Sequence, residues 1–269
     1  MSVTPPVEIR EPVTLCDADS RLLPSARGWA RQPLFRGALP GPFLRRKRWN
    51  FVFVSHPEVL VAAALSNADY AGLAFVWLYD LKRRRFLEVE HLSPLGYAVT
   101  IGESVDKPAR YASRALTYDW QPRGKGLDVH VVAPRMKGSA EKLELRLRIH
   151  DLFADESLNL IVPWSDRRWN YTGKLVAMSS EGELTAGGER YTFTPDKTVA
   201  SIDCTRGIWP YHTVWRWSFG AGFVGTRRVG LNFGAGWTDG TGVVENALYV
   251  DGKVMPLWEE VAFHCNPAA

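Results

Sequence analysis

Residues 142–150 alternate without a break. Leu143, Leu145, Leu147 and Ile149 fall on one side, and Glu144, Arg146, Arg148 and His150 on the other. Period two predicts a strand with one dry and one wet face, as an antiparallel sheet requires. Short apolar runs bounded by turn residues recur along the chain, at 49–55, 73–80, 158–162, 174–178, 190–194, 199–204 and 227–232. The run 59–65 is too short for periodicity to separate strand from helical turn. Gly187-Gly188 and Asp251-Gly252 tolerate positive φ and read as hairpin turns. No long stretch has the 3.6-residue period of an amphipathic helix. The expected fold class is all-β: two antiparallel, lipocalin-like sheet units or barrels, the second incomplete at the C-terminus.

Prolines crowd residues 1–44, and proline fixes φ and lacks an amide donor, so that segment is expected to be an extended arm. A change of texture near 151–157 sets the expected units at 45–155 and 156–269. The basic run Arg45-Arg46-Lys47-Arg48 is either a solvated strand entry or a contact to an anionic group such as a phosphate.

The chain has 33 Lys+Arg against 29 Asp+Glu. That mild, mixed excess lacks the dense basic stripe of a nucleic-acid binder, so no nucleic-acid partner is expected. Cys16, Cys204 and Cys265 form no CxxC pair, and an odd count suits a reducing compartment. The start carries no signal-peptide pattern, and the most apolar stretch, 51–81, is interrupted by polar residues. These features predict a soluble, cytoplasmic protein without a transmembrane segment.

Neither a GxSxG elbow nor a phosphate-binding P-loop is present. Glycines at 234, 236, 240 and 242 do not open a helix after a strand, so they read as turns or close backbone packing rather than a dinucleotide fingerprint. None of the six histidines sits in ligand spacing with another histidine or a cysteine. No metal and no cofactor are expected.

Eleven tryptophans are the compositional anomaly, and Trp164, Trp169, Trp209, Trp215, Trp217, Trp237 and Trp258 all lie in the second half. They either fill a core or line a ligand cavity. The densest polar cluster is residues 203–217, where Asp203, Arg206, Tyr211 and His212 stand among Trp209, Trp215 and Trp217. Read as strand, this stretch puts Thr213, Trp215 and Trp217 on one face, and His212, Val214 and Arg216 on the other. A turn at Gly207 would bring Asp203 and Arg206 together as a pair. Glu245, read as mid-strand, is either paired with Arg206 or Arg216 or is an acid with a raised pKa. Asp203, Glu245 and Tyr211 are the candidate catalytic groups. Arg206, His212, Trp215, Trp217, Asn232 and Asn246 are the candidate ligand contacts.

A set of ordered fragments carries a family resemblance. They are Arg27-Gly28-Trp29, Lys47-Arg48-Trp49-Asn50, Asp69-Tyr70-Ala71-Gly72-Leu73-Ala74-Phe75, Glu156-Ser157-Leu158-Asn159 and Val162-Pro163-Trp164-Ser165. Arg206-Gly207-Ile208-Trp209-Pro210-Tyr211, Val229-Gly230-Leu231-Asn232, Trp237-Thr238-Asp239-Gly240-Thr241-Gly242, Glu245-Asn246 and Asp251-Gly252 complete the set. Together they resemble the bacterial domain-of-unknown-function family numbered 2804. That family is distantly similar to lipocalin-like two-barrel proteins, among them carotenoid hydratases and cyclases of apolar natural products. The resemblance implies the two-unit β architecture, and chemistry only by analogy of fold. Two features depart from the family pattern: Cys204, and a chain that stops soon after the Asp251-Gly252 hairpin. The second suggests an unclosed barrel whose open edge permits self-association.

The functional expectation is binding of an apolar small molecule in an aromatic-lined cavity. In the enzymatic form of this reading, Asp203 or Glu245 supplies a proton for hydration or isomerisation while aromatic faces stabilise positive charge. The alternatives are a non-catalytic lipid carrier, and a structural or interaction protein with a filled barrel.

Overall fold

The computed structural model describes residues 4–37, 39, 41–137 and 141–264. Cys265 lies outside them. The N-terminal segment contributes β1 (Val13–Thr14), β2 (Trp29–Ala30) and β3 (Phe35–Arg36), with a 3-10 turn at Pro24–Ala26. A run of antiparallel strands follows: β4 (Arg46–Ser55), β5 (Val59–Asn67), β6 (Ala71–Asp80), β7 (Arg85–Pro94), β8 (Val99–Ile101), β9 (Ala109–Ala112) and β10 (Thr117–Arg123). Next come β11 (Gly126–Ala133), β12 (Leu143–Ile149), β13 (Leu158–Pro163), β14 (Trp169–Ala186), β15 (Glu189–Phe193) and β16 (Val199–Ile208). The last four are β17 (Arg216–Val224), β18 (Arg227–Ala235), β19 (Ala247–Val250) and β20 (Lys253–Pro256).

Hydrogen bonding joins most of these into one curled sheet, in the order β7-β6-β5-β4-β16-β14-β12-β11-β10-β9-β8, with β13, β15 and β2 attached beside it. The ambiguous run at 59–65 is a strand, paired on both sides. Pairing crosses residue 155 twice, where β16 lies against β4 and β14 against β12. The proline-rich segment packs on this sheet: Leu15, Leu22, Ala26, Ala30 and Phe35 are buried in its main core. Arg31 reaches further, bonding Glu8, Glu156 and the Val254 carbonyl.

β12 keeps the alternation of its sequence. Its four apolar side chains enter the core, while Glu144 and Arg148 form cross-strand pairs with His130 and Asp128 on the wet face. β14 reads differently, with residues 169–178 all buried. A strand covered on both faces has no wet side to alternate with. The pairing of β14 with β16 slips between Leu175 and Met178, and Ala177 there adopts φ 59°. Such a bulge bends a strand and re-aims its side chains. Further along, Gly182 has φ 143°, and a Cβ on it would lie 2.0 Å from the Arg146 carbonyl oxygen.

The outer face of the curled sheet is unusually apolar. Trp49, Phe51 and Phe53 of β4 lie beside Ala62 and Ala64 of β5 and Phe75 and Trp77 of β6. Small alanines on the middle strand leave room for the rings on either side. Over this face lies the second sheet, β17-β18-β19-β20. Trp217 meets Phe51 edge-on at 5.6 Å, and Phe219 meets Phe53 at 5.5 Å. Deeper in, Val176, Ala177, Ala247, Tyr249 and Val254 form a second core between the sheets. Among the described residues β17 pairs only with β18, so this second unit is not closed by hydrogen bonds on that side. The architecture is all-β and lipocalin-like, as expected from the alternating runs.

Candidate functional site

One cross-strand row on the outer face reads Leu158, Lys174, Asp203, Phe51, Ala64 and Phe75, each the register partner of the next. Lys174 and Asp203 are therefore neighbours on adjacent strands. The lysine Nζ donates to Asp203 Oδ1 at 2.8 Å. From the other sheet, Glu245 brings Oε2 to 3.1 Å from the same ammonium, although not in line for a hydrogen bond. Glu245 Oε1 accepts the Trp237 indole N–H at 2.8 Å. The ammonium also lies 5.2 Å from the Trp217 ring centroid. Gly234 makes this arrangement possible, because a Cβ there would lie 2.0 Å from Glu245 Oε1.

The charge count is uneven: one cation and two carboxylates. The side chains of Lys174 and Glu245 are 5% and 3% exposed, that of Asp203 14%. Burial works against the charged form of each group. For Lys174 the two carboxylates overcome it and hold the ammonium charged, with its pKa raised. For Glu245 burial prevails, reinforced by the Asp203 charge, against the pull of Lys174 and Trp237, and its pKa is raised. The Glu245 carboxyl is thus shifted toward its protonated form, and Asp203, the most exposed of the three, is the register partner of Phe51 in the aromatic face.

The other expected site residues are distributed differently. Asp203 and Arg206 do not pair: no turn separates them, both belong to β16, and three residues apart on a strand they point to opposite faces. Arg206 turns into the curled sheet's interior, donating to the carbonyls of Gly102, Trp49 and Thr205 and to Asn50 Oδ1. It ties strands together there. Glu245 is not mid-strand but precedes β19, and its partner is Lys174 rather than Arg206 or Arg216. Nor do residues 209–215 form a strand, so the expected sharing of faces by Thr213, Trp215 and Trp217 does not arise. Tyr211, His212 and Trp215 are exposed on this connection, and the Tyr211 ring carries the Arg45 guanidinium at 3.5 Å.

Trp217, Asn232 and Asn246 frame the triad. Asn232 accepts the Trp217 indole N–H at 2.8 Å and donates to the Glu245 carbonyl at 2.7 Å. Asn246 accepts from Gly234 N–H and donates to the Glu259 carbonyl. Asn232 thus fixes the Glu245 carbonyl, and Asn246 ties the next residue to Gly234 and Glu259.

Lys174 escaped the sequence reading, although the signal existed. It opens the apolar run 175–178, and a charge at the edge of a fully buried strand needs a partner, the argument already made for Glu245. Cys16 and Cys204 carry no disulfide. Burial pushes the Cys204 thiol up to about 11, so it is not a thiolate nucleophile. Among the described residues no cluster of three or more His, Cys, Asp or Glu side chains has the geometry to hold a metal ion.

Solved structures with similar architecture include kievitone hydratase from Nectria haematococca, at 10% identity and a TM-score of 0.42, over 78% of this chain and 63% of that one. CghA is another, at 12% identity and a TM-score of 0.47, over 93% of this chain and 66% of that one. The chain spans less than two thirds of the length of either. No curated protein sequence matches it. The family profile described as domain of unknown function (DUF2804) matches residues 6–269, and the chain belongs to that family.

Proposed function

We propose that the chain binds an apolar small molecule against the aromatic outer face of β4–β6, and that the Lys174–Asp203–Glu245 triad exchanges a proton with it. One observation carries this reading: a buried triad with more carboxylates than cations, ending in a wall of Trp49, Phe51, Phe75 and Trp217. A purely structural ion pair needs one carboxylate. The second, held toward its protonated form, is a proton store, and the rings beside it can stabilise a developing cation.

The chemistry that fits is addition of water to a carbon–carbon double bond, or its isomerisation. In hydration, a carboxylic acid of the triad gives its proton to one alkene carbon. Water bonds to the other carbon, and its surplus proton returns to the carboxylate. The open β17 edge extends the reading to self-association, which analytical ultracentrifugation measures directly.

Native mass spectrometry of freshly purified protein, followed by denaturation and identification of released small molecules, tests the binding. An apolar ligand at unit stoichiometry is the expected result. Glu245→Gln and Asp203→Asn are then expected to retain the ligand and lose its conversion. Folded variants that turn the ligand over at the wild-type rate refute the catalytic part. Retention of an apolar ligand without conversion by the wild type favours a carrier.

A further inference from the structure

One end of the curled sheet gathers features that the proton-exchange site does not use. Four segments converge there: the entry to β4, the β5–β6 turn, the β7–β8 turn and the connection leaving β16. Short contacts tie them together. Leu44 N–H and the Arg46 guanidinium bond Asp69 in the β5–β6 turn. Lys47 Nζ lies 4.0 Å above the Tyr70 ring, Leu95 N–H donates to the Tyr70 carbonyl, and Arg45 lies over Tyr211.

The rim exposes large apolar side chains at its tips. Tyr97 is 82% exposed, Tyr211 84%, Phe43 57% and Tyr70 55%. Leu44 and Leu95 are also exposed, and both hold φ in the left-handed region, at 75° and 52°. Glycine or asparagine fits that region at less cost, so a leucine there keeps an apolar group outward against the backbone preference.

Charge complements this. Residues 41–48, 67–72, 92–98 and 209–216 carry five Lys/Arg and one carboxylate, Asp69. Asp69 is taken up by Arg46 and Arg48. Arg45 and Lys47 have no carboxylate partner among the described residues and rest on tyrosine rings instead. The neighbouring loop 102–108 adds Glu103, Asp106 and Lys107, and the balance stays positive.

We infer that this rim docks on an anionic lipid bilayer, with its leucines, Phe43 and tyrosine rings in the headgroup region and Arg45 and Lys47 against lipid phosphates. Tyrosine and tryptophan favour the membrane–water boundary, and cations beside them add attraction to anionic lipid. Single apolar tips on separate turns suit a fluid, deformable surface better than the continuous shaped patch of a protein interface. The docking surface stands on its own observations and does not depend on what the triad does.

Sedimentation with vesicles of phosphatidylcholine containing about 30% phosphatidylglycerol, against phosphatidylcholine alone, tests it in about 0.1 M salt. Binding to the anionic vesicles, weakened by added salt, is expected. Arg45→Gln with Lys47→Gln is expected to weaken it about five-fold per cation removed. Leu95→Asn with Tyr97→Ser changes only exposed tips and is expected to weaken it roughly ten-fold. Thermal melts confirm that each variant is folded. Wild-type protein that ignores both vesicles, or binds them equally, overturns the inference. So does binding that survives both pairs of substitutions. If instead the wild type forms a dimer that either pair dissolves and no vesicle is bound, the rim is a contact between copies and the lipid assignment is wrong.

Discussion

Replacing Lys174 with methionine tests the reasoning about the triad directly. Methionine fills most of the volume of the lysine stem, so the change is chiefly one of charge. The ammonium lies 2.8 Å from Asp203 Oδ1 and 3.1 Å from Glu245 Oε2. At an effective dielectric of about 20, each such attraction is on the order of 5 kcal/mol, and desolvation of the charges offsets much of it. Removing one partner of a buried ion pair typically costs about 3–5 kcal/mol, because the remaining charge is left uncompensated. Urea denaturation followed by tryptophan fluorescence measures the loss. With a slope of about 3 kcal/mol per molar, the midpoint falls by roughly 1–2 M at about pH 7. The penalty is expected to shrink as pH falls, since protonation removes the stranded charge. Lys174→Met combined with Asp203→Asn and Glu245→Gln is expected to recover most of the stability. A single variant within about 1 kcal/mol of wild type at neutral pH, or one whose penalty grows in acid, refutes the argument.

Glu245→Gln probes the same triad by titration. A carboxyl whose folded pKa is raised contributes stability that is fully present below its unfolded value of about 4.5 and is lost as pH rises through the folded value. Wild type is therefore expected to lose stability relative to Glu245→Gln as pH rises from about 4.5, and a gain over that range refutes it. Asp80 has the opposite sign. Burial pushes its pKa up, but the backbone N–H and guanidinium of Arg83 and the Tyr191 hydroxyl outweigh that and hold it at about 2. Its contribution is present above about 3.8 and lost as pH falls through about 2. Asp80→Asn is expected to cost roughly 1–3 kcal/mol at neutral pH and to abolish this acid-dependent phase in urea melts. Two tryptophans make a paired test by thermal denaturation. Trp169 is fully buried and bonds the Ser20 carbonyl, so Trp169→Ala is expected to cost about 3–5 kcal/mol. Trp215 is 59% exposed, and Trp215→Ala is expected to stay within about 0.5 kcal/mol.

The sequence by itself determined the fold class. Side chains alternate on a strand whatever it pairs with, so 142–150 announced a half-wet strand, and Gly187-Gly188 and Asp251-Gly252 marked two turns. It also marked Asp203 and Glu245, because charges set among large apolar residues need a partner. What it left open was which partner. Strand pairing is a long-range choice, and β14 and β16 reach each other across more than one turn of chain that local pattern does not constrain. Only the register of these strands put Lys174 beside Asp203, and only the second sheet brought Glu245 to the same ammonium. The opposite holds for Arg206 and Tyr211, close to Asp203 in sequence and far in role. One step of β-strand parity sends Arg206 to the other face of the sheet, and the end of β16 leaves Tyr211 out on the rim. Neighbourhood along a strand is set by bonds and parity, but neighbourhood in a site is set by which strands pair, and that was decided by the tertiary structure alone.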